Sequence, residues 1–287
     1  VEFLLNLADE PGLRWLAAVV ADLRVAAPSV DPLLVGAVAR DVLLSYAHGI
    51  PLARATHDAD LALAIPNWAA FDTLRHHLLE SSRFQSLTGA VHKLQHRSGI
   101  RIDLIPFGGV ERSDGSIAWP SEFAEVMGVL GLAEARASAV EVGLPENQSL
   151  HVVALPMLAV LKVFAWADRH FREPRKDAAD LFSVLTNYLD VSHAERIYGE
   201  AAHLLEDSTF DYRVAGAWLA GHDARVLIDR HSQRADVITD RLTSLLTQES
   251  DADGPLRLVG EASRIDPEYA RRLLAAFLAG YSGKKTP

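Results

Sequence analysis

Asp58 and Asp60 stand two residues apart at the start of Asp58-Ala59-Asp60-Leu61-Ala62-Leu63-Ala64-Ile65, a stretch that alternates as a strand does. Alternation places Asp58, Asp60, Ala62 and Ala64 on one face and Ala59, Leu61, Leu63 and Ile65 on the other. Two unpaired carboxylates about 5 Å apart repel by on the order of 3 kcal/mol at an effective dielectric of 20. A divalent cation turns that repulsion into attraction, and hard oxygen donors suit Mg2+ (or Mn2+), which completes its shell with water and substrate phosphates. Asp103 is a third acid, set in Ile102-Asp103-Leu104-Ile105-Pro106-Phe107, an otherwise apolar strand where packing alone has no use for a charge. Should that strand pair beside the first, Asp58, Asp60 and Asp103 converge as metal ligands and catalytic groups, the arrangement that two-metal phosphoryl transfer uses.

Upstream, Leu33-Leu34-Val35 is a short apolar strand ending at Gly36, and a helix is expected from Val38 to about Ala47. Free backbone N–H groups at the helix start can hold a phosphate, and Gly36 permits close approach. A plain turn is the bland alternative. Position argues against it, because Gly36 precedes Asp58 by 22 residues, enough for one helix and a return to the sheet. Arg40, in the first turns, either faces a triphosphate or forms a surface pair with Asp41.

Around these residues the first half of the chain alternates helices and strands. Pro11 to Ala27 has helical spacing with Asp9 available as a cap, and Asn67 to Ser81 is amphipathic with Trp68, Phe71, Leu74 and Leu78 on its buried stripe. Val91 to His96 and Ile100 to Phe107 are strand candidates joined by the turn Arg97-Ser98-Gly99. His92 and His96 share a strand face and are read as packing or solvent-facing rather than as metal ligands. Val142 to Ser149 looks like a connection. Beyond it helices are expected at Leu155–His170, Lys176–Tyr188, Ser192–Glu206, Tyr212–Ala220, Arg234–Thr247 and Pro267–Ala279, with an acidic loop over Gln248–Gly254. The expected organisation is α+β, a mixed sheet with flanking helices over residues 1–150 followed by an all-helical domain over 151–287.

Composition narrows the function. The 287 residues are 49% hydrophobic and 23% charged, which is ordinary for a globular chain and excludes disorder and collagen-like structure. No cysteine is present, so a disulfide scaffold, a cysteine-ligated zinc or iron-sulfur site and a thiol nucleophile are excluded. No stretch is long and apolar enough for a membrane span and no secretory signal is read at Val1, so a cytoplasmic location is expected. A net charge of −10 opposes nucleic acid at long range, and any such contact must use a local basic patch.

Taken together, Leu34-Val35-Gly36-Ala37-Val38-Ala39-Arg40-Asp41, Arg54-Ala55-Thr56-His57-Asp58-Ala59-Asp60 and Ile102-Asp103-Leu104-Ile105-Pro106-Phe107 resemble the polymerase-β-like nucleotidyltransferase superfamily. Within it the chain is similar to the AbiEii/AbiGii toxin-type nucleotidyltransferases. Leu158 to Arg169 and Arg175-Lys176-Asp177-Ala178-Ala179-Asp180-Leu181 resemble that family's second basic block and its Lys-Asp-x-x-Asp element. The resemblance spans residues 33–181. It implies a small mixed sheet followed by a helical region that helps close over the nucleotide. Asp58 and Asp60 then bind catalytic Mg2+, Asp103 is third ligand or base toward the attacking hydroxyl, and Lys162 contacts the triphosphate of an NTP. Some of these toxins modify RNA ends, notably tRNA, and others are described as binding GTP, so RNA and a partner antitoxin are implied partners. Where many members carry Gly-Ser or Gly-Gly, this chain has Gly36-Ala37, which leaves phosphate contact at the turn to backbone amides.

Lys162, Trp166 and Arg169 share a helix face. Lys162 either snorkels at a domain edge or meets phosphate; Trp166 is core or stacks on a base. Lys162 to Asp177 carries five cations against three acids and is the best local candidate for RNA or triphosphate, with Arg169, Lys176 and Asp177 among its contacts. Asp177 can instead orient Lys162 or Arg169, and Lys176 and Asp180 can pair as i, i+4 neighbours. The leading expectation is a Mg2+-dependent nucleotidyltransferase. The alternatives are a nucleotide-sugar-dependent glycosyltransferase, which also uses Asp-x-Asp, and a non-catalytic nucleotide-binding or partner-interaction module.

Overall fold

The computed structural model describes residues 4–51, 56, 58–88, 90–120, 126–191, 193–206, 210–247 and 265–284. Two compact units divide the chain, residues 1–154 and 155–287. The acidic loop expected over 248–254 lies outside the described residues.

The first unit is built on an eight-stranded mixed sheet. Its strands are β1 (Leu4–Asn6), β2 (Leu33–Val35), β3 (Asp58–Ile65), β4 (Phe84–Ser86), β5 (Lys93–His96), β6 (Arg101–Gly108), β9 (Val140–Leu144) and β10 (Gln148–Val152), in the order β1-β9-β10-β2-β3-β6-β5-β4. A separate ribbon pairs β7 (Ser116–Ala118) with β8 (Val126–Gly128). Helices α1 (Arg14–Ala26), α2 (Gly36–Asp41), α3 (Trp68–Glu80) and α4 (Leu132–Ala137) complete the unit. The alternation in β3 and β6 sorts the sheet faces: Ala59, Leu61, Leu63, Ile102 and Leu104 are buried on one, while Asp58, Asp60 and Asp103 stand on the other.

Several elements depart from expectation. Val142 to Ser149 is a hairpin rather than a connection, because Glu146 and Asn147 adopt left-handed backbone and fold β10 back on β9. Asp9 caps nothing: α1 is entered through a 3-10 turn at Pro11–Leu13, and no side chain bonds its first amides. Asn67 does cap α3, accepting from the Ala70 amide at 2.9 Å. The helix after Gly36 begins at that residue and widens into a π-helical turn at Val42–Tyr46.

Among the described residues the second unit is helical throughout. It comprises α5 (Leu155–Arg169), α6 (Pro174–Asn187), α7 (Tyr212–His231), α8 (Ala235–Thr247) and α9 (Pro267–Tyr281). The helix expected over 192–206 is instead two 3-10 turns, Ala194–Tyr198 and Ala202–Glu206, with a turn over 199–201 between them. At the crossing of α7 and α9 the backbones touch: a Cβ on Gly221 would lie 1.9 Å from the Phe277 carbonyl oxygen, and one on Gly280 1.9 Å from that of Trp218. Side chains at either position would force the helices apart. No described helix is long and apolar enough to cross a membrane.

Candidate active site

β3 and β6 run parallel with Asp60 opposite Asp103 and Asp58 opposite Arg101. Register partners in a parallel pair share a face, so the three acids gather at the start of two neighbouring central strands. Asp58 is exposed and the other two are half-buried. β2 flanks β3 on the other side, pairing Val35 with Asp60, and the next residue is Gly36. Gly36 has φ +73, and a Cβ built there would stand 1.9 Å from Asp60 Oδ2 and 2.9 Å from its Cγ. The glycine is therefore required twice, by its left-handed backbone and by the carboxylate lying against it.

Lys93 on β5 is the antiparallel partner of Asp103, and its Nζ is 3.5 Å from Asp103 Oδ2. Among the described residues no three His, Asp or Glu side chains are grouped closely enough to hold a metal ion. Like charges repel, and Asp103 has the Lys93 ammonium beside it. What the fold supplies is a common face and register for the acids, with Asp60 against a glycine. That all-oxygen donor set has the chemistry that Mg2+ or Mn2+ takes, with the Asp60 carboxylate lying in the space that a side chain at 36 would need.

The opposite face is anchored by a charge cluster. Asp22 of α1, buried, accepts from His96 Nε2 at 2.9 Å and pairs with Arg83 and Arg97. Burial pushes its carboxyl upward, but the bonds from His96 and Arg83 and the nearby arginine charges outweigh this and hold it below the ordinary carboxylate value. The cluster ties the β5–β6 hairpin, and with it the strand bearing Asp103, to α1. His96 also meets Ser98 Oγ at 2.7 Å, and His92 stacks on Trp119 at 4.5 Å. Both histidines are buried packing residues.

Arg40 does not form the surface pair expected. It is 5% exposed, and its Nε donates to Asp41 Oδ1 at 2.9 Å. Ala37 is buried beside it. A guanidinium held inside the fold by its neighbour's carboxylate gives no support to the expected contact with triphosphate.

In the second unit Lys162 is also turned inward. Its side chain is 4% exposed and its ammonium donates to Asp177 Oδ1 at 2.9 Å and to Asp180 Oδ2. Asp177, fully buried, also receives Arg169 at both oxygens. Lys162 is thus neither snorkelling nor presented to a ligand: a buried ammonium needs carboxylate partners, and α6 provides two. Burial pulls the Lys162 pKa down, yet the two carboxylates leave it raised overall. Lys176 pairs with Glu173 at 3.7 Å, not with Asp180. Trp166 is core, stacked on His170. Between α5 and α6, Phe171 is 68% exposed with the Arg172 guanidinium 5.4 Å from its ring centre.

Burial drives the Asp177 carboxyl up, but Arg169 and Lys162 overcome this and bring it down from 3.8 to about 2. A carboxylate depressed on folding stabilises above its unfolded pKa and loses that contribution as pH falls through the folded value. Roughly 2 kcal/mol is expected to disappear between about pH 4 and pH 2. Urea unfolding of the wild type and Asp177→Asn across this range checks it: the gap between the two proteins should narrow as the solution is acidified.

No protein-family model matches the chain, and no curated protein matches it.

Proposed function

We propose that the chain is a divalent-cation-dependent nucleotidyltransferase of the polymerase-β-like, toxin type, moving a nucleoside monophosphate from an NTP to an acceptor hydroxyl. The observation that carries this reading is the placement of Asp60 against Gly36 on one side and in register with Asp103 on the other. On this reading the first unit is the nucleotidyltransferase domain and the second its helical companion. Asp58 and Asp60 hold Mg2+ or Mn2+, with Asp103 as third ligand or base. The bound cation supplies positive charge for the triphosphate and for the charge that develops during transfer. Asp103 takes the proton of the acceptor hydroxyl at a carboxylate oxygen. The acceptor oxygen bonds to the α-phosphorus as the bond to pyrophosphate breaks. Backbone amides at Gly36 and Ala37 are the phosphate contacts at the turn; Arg40, Lys162, Arg169 and Asp177 are structural, because their charges are spent on one another or on buried neighbours.

An RNA end is the favoured acceptor. An exposed aromatic flanked by arginine, as Phe171 is by Arg172, suits stacking on an unpaired base within an otherwise acidic chain. Pyrophosphate release separates the readings. The transferase releases it from an NTP in the presence of RNA, and Asp103→Asn abolishes the release. A glycosyltransferase instead consumes nucleotide-sugars without pyrophosphate, and a binding module takes up NTP with no product.

A further inference from the structure

Lys93 was not singled out by the sequence and is not used by the proposed chemistry, yet it stands inside the acid site. It is the β5 residue directly opposite Asp103, its Nζ lies 3.5 Å from Asp103 Oδ2, and both side chains point from the acid-bearing face. Its side chain is 46% exposed, so the ammonium is hydrated and free to swing on a flexible four-carbon stem. Arg101 stands opposite Asp58 in the β3–β6 register, a second cation beside the acids.

We infer that Lys93 is a counter-ion that competes with the divalent cation for Asp103 and, when the cation takes that carboxylate, turns to the anionic phosphates of the nucleotide. The inference rests on the nucleotidyltransferase reading and deepens it. An ammonium and a metal ion on one carboxylate stand close together, and two positive charges that close repel. Cation binding without nucleotide is therefore opposed by Lys93. A triphosphate removes the opposition by giving the displaced ammonium a partner, which makes cation and nucleotide bind cooperatively. Being exposed, the lysine contributes little to folding.

The test is Mn2+ binding to the full chain, read from the electron paramagnetic resonance signal of the free ion, with no turnover involved. Lys93→Met is expected to bind Mn2+ alone roughly three- to tenfold more tightly than wild type, in keeping with the usual size of effects from residues beside metal ligands. In saturating Mn2+ the same variant should bind a non-hydrolysable NTP analogue several-fold more weakly, and Lys93→Arg should restore both values toward wild type. Circular dichroism melting checks that the fold is unchanged. Equal Mn2+ affinity in wild type and Lys93→Met, or weaker binding in the variant, overturns the role of Lys93 alone. Absence of Mn2+ binding in both removes the metal site itself, and the nucleotidyltransferase reading falls with it.

Discussion

Gly36→Ala is expected to lower nucleotide transfer by at least about 100-fold while leaving the protein folded. The alanine Cβ would sit 1.9 Å from Asp60 Oδ2, and something must move. The cheapest relief is rotation of the Asp60 carboxylate away from the turn, since the backbone there is held between β2 and the start of α2. A displacement of about 1 Å in a catalytic group costs on the order of 100-fold in rate. The left-handed backbone adds about 1–2 kcal/mol of destabilisation for any residue with a Cβ. Activity and melting temperature measured on the same preparation separate the two effects. Loss of activity in proportion to loss of folded protein would show that Gly36 serves only the turn.

Lys162→Met is expected to act in the opposite way, through stability. The side chain keeps its volume and loses its charge, leaving the buried carboxylates of Asp177 and Asp180 without the ammonium that both accept from. Removing one partner of a buried ion pair typically costs about 3–5 kcal/mol. Because Asp177 also bonds Arg169, its own deletion should disturb both cations at once. Urea unfolding followed by far-ultraviolet circular dichroism measures the loss. A variant of wild-type stability with weakened NTP binding would return Lys162 to the role its family resemblance implies.

These two residues also show what the sequence could and could not reveal. β3 was legible because its buried apolar positions alternate with Asp58, Asp60 and small residues, and β6 because a single charge, Asp103, sits in an otherwise apolar run where it has few structural uses. Gly36 was legible as a close approach, but the group that approaches it in the structure is Asp60, and only the β2–β3 register shows it. Lys162 was legible as a charge in an apolar helix. Its partners lie 15 and 18 residues on, in a different helix, and a lone lysine gives no sign of whether it faces acids or a ligand. Arg40 misled for the same reason, since an adjacent Arg and Asp look alike whether buried or exposed.

Lys93 and Asp22 carried no local signal at all. Lys93 sits on a strand whose polar face is unremarkable until β6 is laid beside it, and Asp22 meets His96 across 74 residues of chain. The β9–β10 hairpin was hidden by its turn: Gly143, Pro145, Glu146 and Asn147 read as loop, and the strands that flank them are five residues each. Short strands gain their stability from neighbours on the sheet rather than from their own composition, so pairing had to be known before they could be seen.

Nucleotide transfer is read by incubating wild type and Asp60→Asn with each of four α-³²P-labelled NTPs, Mg2+ and total cellular RNA or protein. Wild type is expected to place covalent label on an acceptor, most strongly RNA, and Asp60→Asn to lose at least about 1,000-fold of it at unchanged melting temperature. Absence of label from any acceptor with wild type, while NTP still binds the folded chain, would contradict the proposed transfer and leave a nucleotide-binding module in its place.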